Sequence, residues 1–501
     1  MEMLMRIILT ILTSAIMAVS IWQLEADRAG LSIAPLDVEG ATPATLYSTA
    51  QGEPAPVVVI AHGFAGSRQL MEPFSLTLAQ AGYVVASFDF EGHGRNPRAM
   101  SGNVDSIDGT TRLLMDETAR VARAALAHPR SDGRLAYLGH SMASDIVVRQ
   151  ALAEPAGDAV VAISMFSEAV SVEEPRNLLV IAGEWEARLV EEALRALRQI
   201  DPDAEAGDTT GDPATGPARR AVIAPQVEHV GVLYSATALE AARDWLDASF
   251  GRESDGPVAL RGGWIALLLA ATVALGWPLA RALPAGGPRH AEPLNNRQFL
   301  VAALVPAVAV PLVLWPLETR FLPVLVADYL ALHLGLYGLI SLGFLARWGA
   351  LRGQFPARVW WIAAAVAVFG IAVVGGVIDR YVASFLPHPG RLVVIAGLAL
   401  GAIPFMLGDG LLTGGGTGRL WRMLLARGAF LASLALAVAL DFEALFFLII
   451  ILPVIVLFFL LFGTMSGWVG RRTGLPAAAG LGLGLVLAWA LGVTFPMFDA
   501  A

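Results

Sequence analysis

Leu135-Ala136-Tyr137-Leu138 followed by Gly139-His140-Ser141-Met142-Ala143 reads as an apolar strand that turns abruptly into a helical pattern. Ser141 then falls on the turn itself. At such an elbow the serine backbone is strained and the residues two before and two after it nearly touch, so both must be small. Gly139 and Ala143 meet that condition. The blander reading is a serine that merely starts a helix, and the rest of the chain decides between the two.

Downstream, the run Leu178-Leu179-Val180-Ile181-Ala182-Gly183 ends in Glu184-Trp185-Glu186, and the run Ala221 to Pro225 ends just before Glu228-His229. The order is serine, acid, histidine. Each candidate follows a strand-like run, where an open α/β sheet places its chemistry. A serine hydroxyl needs a base to take its proton, and an imidazole needs a carboxylate to fix its tautomer and stabilise the imidazolium. Upstream, Val57-Val58-Val59-Ile60-Ala61 runs into His62-Gly63-Phe64-Ala65-Gly66, a strand followed by a turn of small residues.

Together these segments resemble the α/β-hydrolase superfamily over residues 40–250, including the esterase- and lipase-like stretch Val84 to Gly94 before the elbow. The chain departs from that pattern in ending the elbow in Ala143 rather than glycine. The resemblance implies an α/β-hydrolase sheet flanked by helices. It also implies Ser141 as nucleophile, His229 as base and an oxyanion hole made by the backbone N–H groups of Phe64 and Met142. The family's usual spacing of the acid, three residues after the glycine that ends the strand, selects Glu186; Glu184 is the alternative. His62, His93 and His140 read as structural, and Trp185 as a surface or core aromatic.

Composition bounds the remainder. The chain has 501 residues, 56% of them hydrophobic, no cysteine, and a mean hydropathy of +0.63, so much of it is suited to lipid. Without cysteine there is no disulfide, thiol nucleophile or thiolate metal site. No metal and no organic cofactor is expected. A net charge of −9 with scattered arginines argues against nucleic acid as a partner.

Residues 4–24 are long enough to span a bilayer and read as an uncleaved anchor rather than a signal peptide. The expected organisation is an anchor over 1–24, a hydrolase over 25–250, a polar linker over 251–262 and an all-α transmembrane bundle over 263–501. Within the hydrolase, residues 207–220 read as a loop rich in Gly, Pro, Thr and Asp. Apolar spans fall near 263–283, 298–316, 322–346, 359–379, 391–411, 424–440, 444–465 and 475–497, nine with the anchor. If the amino terminus is cytoplasmic, the inside loops carry Arg281, Arg289, Arg297, Arg347, Arg352, Arg358, Arg419, Arg422, Arg427, Arg471 and Arg472. The short outside loops carry only Arg320, Arg380 and Arg391. The positive-inside rule then puts the hydrolase on the outer face of a bacterial cytoplasmic membrane, periplasmic in a Gram-negative cell.

Only Ser167 to Asn177 separate the strand before the acid strand from that strand, which leaves no room for a helical lid. A site open to water binds apolar substrates poorly. The expectation is therefore a lipophilic ester or thioester substrate, met near the outer leaflet with the membrane domain as roof, with membrane lipids as neighbours. An acyltransferase using the same three residues is an alternative, as is a transporter or scaffold that carries a hydrolase domain. Asp328 and His333 stand out as ionisable groups within a span; Asp409 reads as a helix-end or loop residue. The oligomeric state is left open.

Overall fold

The computed structural model describes residues 2–103, 106–286, 294–319, 321–415 and 418–499. Arg289 and Arg320 lie outside them. The chain divides into two compact units. One holds residues 20–266, 379–384 and 496–501; the other holds 1–19, 267–378 and 385–495.

The first unit is a nine-stranded sheet with helices: β1 (Leu31–Leu36), β2 (Ala44–Thr49), β3 (Ala55–Ala61), α2 (Glu72–Gln80), β4 (Val84–Phe88), α3 (Arg112–Leu126), β5 (Ser131–His140), α4 (Met142–Ala151), β6 (Ala159–Ile163), β7 (Asn177–Gly183), α5 (Ala187–Arg198), β8 (Thr209–Gly211), β9 (Ala218–Ala224) and α6 (Ala236–Phe250), preceded by α1 (Glu2–Ala26). The strand order is β1-β2-β4-β3-β5-β6-β7-β9-β8. Pairing is parallel from β4 through β9 and antiparallel at β1, β2 and β8. This is the α/β-hydrolase sheet.

Burial on both faces explains why the central strands read as unbroken apolar runs. β3 (APVVVIA), β6 (AVVAI) and β7 (NLLVIAG) are buried at every position. On one side Val58, Ile60, Leu138, Val161 and Ile181 form a core with Phe74, Leu239 and the fully enclosed Trp245. The 207–220 segment is not all loop, because β8 pairs with β9 in a short antiparallel hairpin. Three residues between glycine-rich turns carry too little periodicity to register in the sequence.

A buried ionic cluster joins two distant parts of this unit. The Arg261 side chain has no exposed surface and donates to Leu24 O at 2.8 Å, to Asp27 at 3.2 Å and to Glu72 at 3.0 Å. Arg28 bonds the other oxygen of Glu72.

The second unit consists of long apolar helices: α7 (Gly262–Ala282, beginning in the first unit), α8 (Asn296–Leu314), α9 (Ala327–Arg347), α10 (Arg358–Val368) continuing through a wider turn into α11 (Gly375–Tyr381), α12 (Arg391–Leu412), α13 (Leu420–Leu440), the short α14 (Phe442–Leu445), α15 (Leu448–Thr473) and α16 (Pro476–Thr494). With α1, nine helices among the described residues are long and apolar enough to cross a membrane, which is consistent with a multi-pass membrane protein. Small residues let the backbones touch. A Cβ added to Gly401 of α12 would lie 2.1 Å from Ala331 O of α9, and one on Gly480 of α16 would lie 2.6 Å from Met406 O of α12.

Polar groups inside the bundle are paired, across helices or within the turn that starts one. His333 Nε2 meets Ser433 Oγ at 3.0 Å, and Asp328 accepts the N–H groups of Phe321 and Tyr329 at 3.1 and 2.8 Å. Asp409 lies in the last turn of α12, buried and paired at 3.1 Å with Arg427. Arg427 is therefore within α13 rather than in an inside loop, a difference that hydropathy cannot register because the partners come from separate helices.

Removing one partner of a buried pair strands the other charge, at a cost of roughly 3–5 kcal/mol. Glu72→Gln should therefore lower the thermal unfolding temperature of the full chain in detergent by several degrees. An unchanged unfolding curve would mean that Arg261 is held by its remaining acceptors alone.

Candidate active site

The three candidate residues are delivered by three strands of one sheet. Ser141 follows β5, Glu186 follows β7 after a two-residue turn, and His229 follows β9 after a four-residue connection. Because β5, β6, β7 and β9 run parallel and in consecutive order, these ends share one edge of the sheet. His229 Nε2 lies 2.8 Å from Ser141 Oγ, and His229 Nδ1 lies 2.5 Å from Glu186 Oε1. The sequence-predicted serine, histidine and acid thus form one continuous hydrogen-bonded line.

Ser141 occupies the strained elbow. Its backbone has φ 53° and ψ −118°, a conformation that costs a non-glycine residue free energy and persists only where its surroundings enforce it. Gly139 is one such constraint: a Cβ there would lie 2.5 Å from Ala143 O. Ala143, fully buried, completes the small pair. The elbow also receives support from the neighbouring strand, since Ser141 N–H donates to Ile163 O at 2.9 Å.

The Glu186 carboxylate is nearly buried, with 6% of its side chain exposed. Burial pushes its pKa up, but hydrogen bonds from His229, the Gly183 N–H (2.7 Å) and Ser164 Oγ (2.8 Å) outweigh that and hold it below the ordinary carboxylate value. Ser164 has no counterpart in the sequence reading. The only sequence sign of it is its position directly after the apolar run of β6, and its role depends on the register between β6 and β7. Glu184 is engaged elsewhere: its Oε2 accepts the Gln226 N–H at 2.7 Å, bracing the connection that carries His229.

The other histidines have separate partners. His62 is fully buried; its Nδ1–H donates to Gly63 O at 2.8 Å and its Nε2 accepts from Phe90 N–H at 3.1 Å. His93 is also buried and bonds the Glu91 carbonyl at 2.9 Å. His140 is nearer the chemistry than its place in the elbow suggests, because its Nε2–H donates to the His229 carbonyl at 2.8 Å. Burial, reinforced by His229, pushes the His140 imidazole down to about 4, so it holds that carbonyl as a neutral donor.

Of the two backbone donors expected for an oxyanion, Met142 is the first residue of α4, where N–H groups have no acceptor within the helix and the helix dipole favours negative charge. The loop carrying Phe64 abuts the serine: a Cβ on Gly63 would lie 3.0 Å from Ser141 Cβ. Residues 164–176 between β6 and β7 contain no helix or strand. Exposed apolar side chains on the loops that leave these strand ends include Phe166 (65% exposed), Trp185 (66%) and Val230 (44%). No cluster of three or more potential metal ligands occurs among the described residues.

Residues 52–211 match the family described as Serine aminopeptidase, S33, an α/β-hydrolase family. Similar solved structures include a dienelactone hydrolase from Anabaena variabilis ATCC 29413 (18% identity, 44% of this chain and 96% of that one, TM-score 0.31). Others are a hormone-sensitive lipase from a metagenome library (14%, 50% and 98%, 0.33) and an esterase from Pyrobaculum calidifontis (15%, 48% and 93%, 0.32). A comparison with curated proteins finds no match. The sheet and the family match give the first unit the α/β-hydrolase fold.

The geometry separates the two acids. Glu186→Gln should lower kcat by about three to four orders of magnitude, whereas Glu184→Gln should cost less than about tenfold; a reversal in steady-state kinetics would reassign the acid. Ser164→Ala, which removes one of three donors to Glu186, should give an intermediate loss. Stability carries a second signature. A depressed carboxyl pKa contributes stability that is present above the unfolded value and lost as pH falls through the folded one. The stability difference between wild type and Glu186→Gln should therefore shrink below about pH 4.

Proposed function

We propose that the protein is a membrane-integral serine hydrolase that cleaves esters or thioesters of lipophilic substrates through an acyl-enzyme. The observation that carries this reading is the line Ser141 Oγ, His229 Nε2, His229 Nδ1, Glu186 Oε1, with separations of 2.8 and 2.5 Å, built on a strained elbow.

In this mechanism His229 Nε2 takes the Ser141 hydroxyl proton as Oγ bonds to the substrate carbonyl carbon. Glu186 keeps Nδ1 protonated and stabilises the imidazolium. The carbonyl oxygen becomes an oxyanion held by the N–H groups of Phe64 and Met142, electrostatic help worth about two to three orders of magnitude per donor. Collapse of the tetrahedral adduct breaks the bond to the leaving alcohol or thiol, which receives the proton from Nε2–H. Water then repeats the cycle: His229 removes its proton, hydroxide attacks the acyl carbon, and Ser141 leaves with the proton returned to Oγ.

Preference for an apolar acyl group is supported by the lidless connection over 164–176 and by the exposed Phe166, Trp185 and Val230. Each 100 Å² of apolar surface they cover is worth about 2.5 kcal/mol. The topology we infer has the amino terminus of α1 in the cytoplasm and the hydrolase outside a bacterial cytoplasmic membrane. Its supports are the arginines flanking the inside ends of the spans, Arg347, Arg352, Arg358, Arg419, Arg422, Arg471 and Arg472. A further support is that residues 379–384 and 496–499, which strict alternation of the spans assigns to the hydrolase's side, belong to the hydrolase unit.

Ser141→Ala should abolish both fluorophosphonate labelling and turnover of p-nitrophenyl esters, a loss of about four to six orders of magnitude, with folding intact. In the wild type, kcat/KM should rise with acyl length and exceed that for aminoacyl anilides. Labelling or turnover that survives the substitution would remove Ser141 as nucleophile.

Orientation is tested independently. The chain has no cysteine, so a single cysteine placed at exposed Glu253 should react with an impermeant maleimide in intact cells. Reaction only after lysis would put the hydrolase in the cytoplasm.

A further inference from the structure

Two short segments that the sequence assigns to the helical half of the chain pack within the hydrolase unit. Residues 379–384 grip two loops. The Asp379 carboxylate accepts from Arg95 Nη2 at 2.6 Å, Ser384 N–H donates to Ser67 Oγ at 3.1 Å, and Ser384 Oγ donates to Gln69 Oε1 at 3.2 Å. Residues 496–499 add a strand-like ladder to the loop after β4. Met497 N–H donates to Gly92 O at 2.9 Å, Met100 N–H to Met497 O at 2.8 Å and Asp499 N–H to Met100 O at 2.9 Å, with Met100 and Phe498 paired as a parallel bridge. Met100, Met497 and Phe498 are all buried by this pairing and its surroundings.

The loops so held are the ones around the expected oxyanion donor. Ser67 and Gln69 lie on the connection after β3, three and five residues beyond Phe64. The loop after β4 presents His93, whose ring is 5.1 Å from that of His62 and 5.8 Å from that of Phe64. Buried Asp89 ties the two loops together by accepting Arg68 N–H at 2.8 Å and Arg95 N–H at 3.0 Å. A path of hydrogen bonds and ring contacts therefore runs from both segments to the backbone around Phe64, and none of it passes through Ser141, His229 or Glu186.

We propose that residues 379–384 and 496–499 are positioning elements of the active site, fixing the two loops that set the Phe64 N–H against the developing oxyanion. The proposal rests on the serine-hydrolase reading above. Its scale follows from the sensitivity of such donors to placement, where an error near 1 Å costs about a hundredfold.

The test uses four variants in detergent: the chain without residues 497–501, the single substitutions Arg95→Asp and Asp379→Arg in the full chain, and the two substitutions combined. The shortened chain should lose about 10- to 100-fold in kcat with KM within about twofold and an unaltered pH profile. Its inhibition constant for a trifluoromethyl ketone, whose adduct carries the oxyanion, should weaken in parallel with kcat/KM. The half-exposed Arg95–Asp379 pair is worth less, so each single change should cost about three- to tenfold and the combined swap should regain most of it.

Wild-type turnover that does not depend on Ser141 would end the hydrolase reading itself. Ser141-dependent turnover with an unchanged kcat and inhibition constant in the shortened chain would overturn the positioning proposal alone. Should the shortened chain fail to accumulate as folded protein, the charge swap decides, and a combined variant no better than the singles overturns it.

Discussion

A carboxylate buried at the end of a sheet must be met by donors, because an unpaired buried charge costs far more than any contact it could make elsewhere. Glu186 is met by three: the Gly183 N–H, the Ser164 hydroxyl and His229 Nδ1. Each comes from a different place at the sheet edge, the end of β7, the end of β6 and the connection after β9. Satisfying one charge therefore fixes three chain segments relative to one another. The tautomer of His229 follows, because Nδ1 is committed to the carboxylate and Nε2 is left facing Ser141 Oγ. Neutral His140 holds the His229 backbone through its carbonyl, so His229 is constrained at both its ring and its main chain.

The parts of this arrangement that the sequence makes legible are those governed by local sterics. The elbow could be read because strain at Ser141 demands small neighbours at 139 and 143, and the strands because burial on both faces leaves unbroken apolar runs. Glu186 is selected over Glu184 only through the spacing that the family resemblance implies, three residues after Gly183, a position where an added Cβ would lie 2.6 Å from Val227 O and 3.1 Å from Glu186 Oε2. What could not be read depends on pairing between distant segments. Ser164 matters only through the β6–β7 register, β8 only through its hairpin with β9, and Asp409 only through Arg427 on the next helix. Residues 379–384 and 496–499 fall at or just past the ends of hydropathy spans, and so few residues have no periodicity of their own to reveal their partners.

The two sides of Ser141 are therefore built differently. On the side of Glu186 and His229 the contacts are internal to residues 140–229, contiguous in sequence and centred on the Glu186 charge. On the side of Phe64, the loops after β3 and β4 rely on buried Asp89 and on hydrogen bonds from segments more than 270 residues away. Loops at the carboxyl ends of strands carry function because a rigid sheet positions them while leaving them free to vary. That freedom requires something other than the sheet to hold them, and here backbone pairing supplies it.

The same reasoning applies where the hydrolase meets the helices that precede and follow it in sequence. A domain inserted between two long apolar helices must bring its first and last residues close together, as domains with adjacent termini do. In this unit the end of α1 and the residue before α7 meet on one side chain: Arg261 bonds Leu24 O, Asp27 and Glu72, and Arg28 bonds Glu72 in turn. A buried guanidinium suits this junction because its planar fork offers five donors in fixed directions, enough to engage a helix-end carbonyl and two carboxylates at once. Helix α2, which carries Glu72, lies between the loop after β3 and β4. The charge that closes the junction is thus attached to α2, the element that follows the Phe64 loop in sequence.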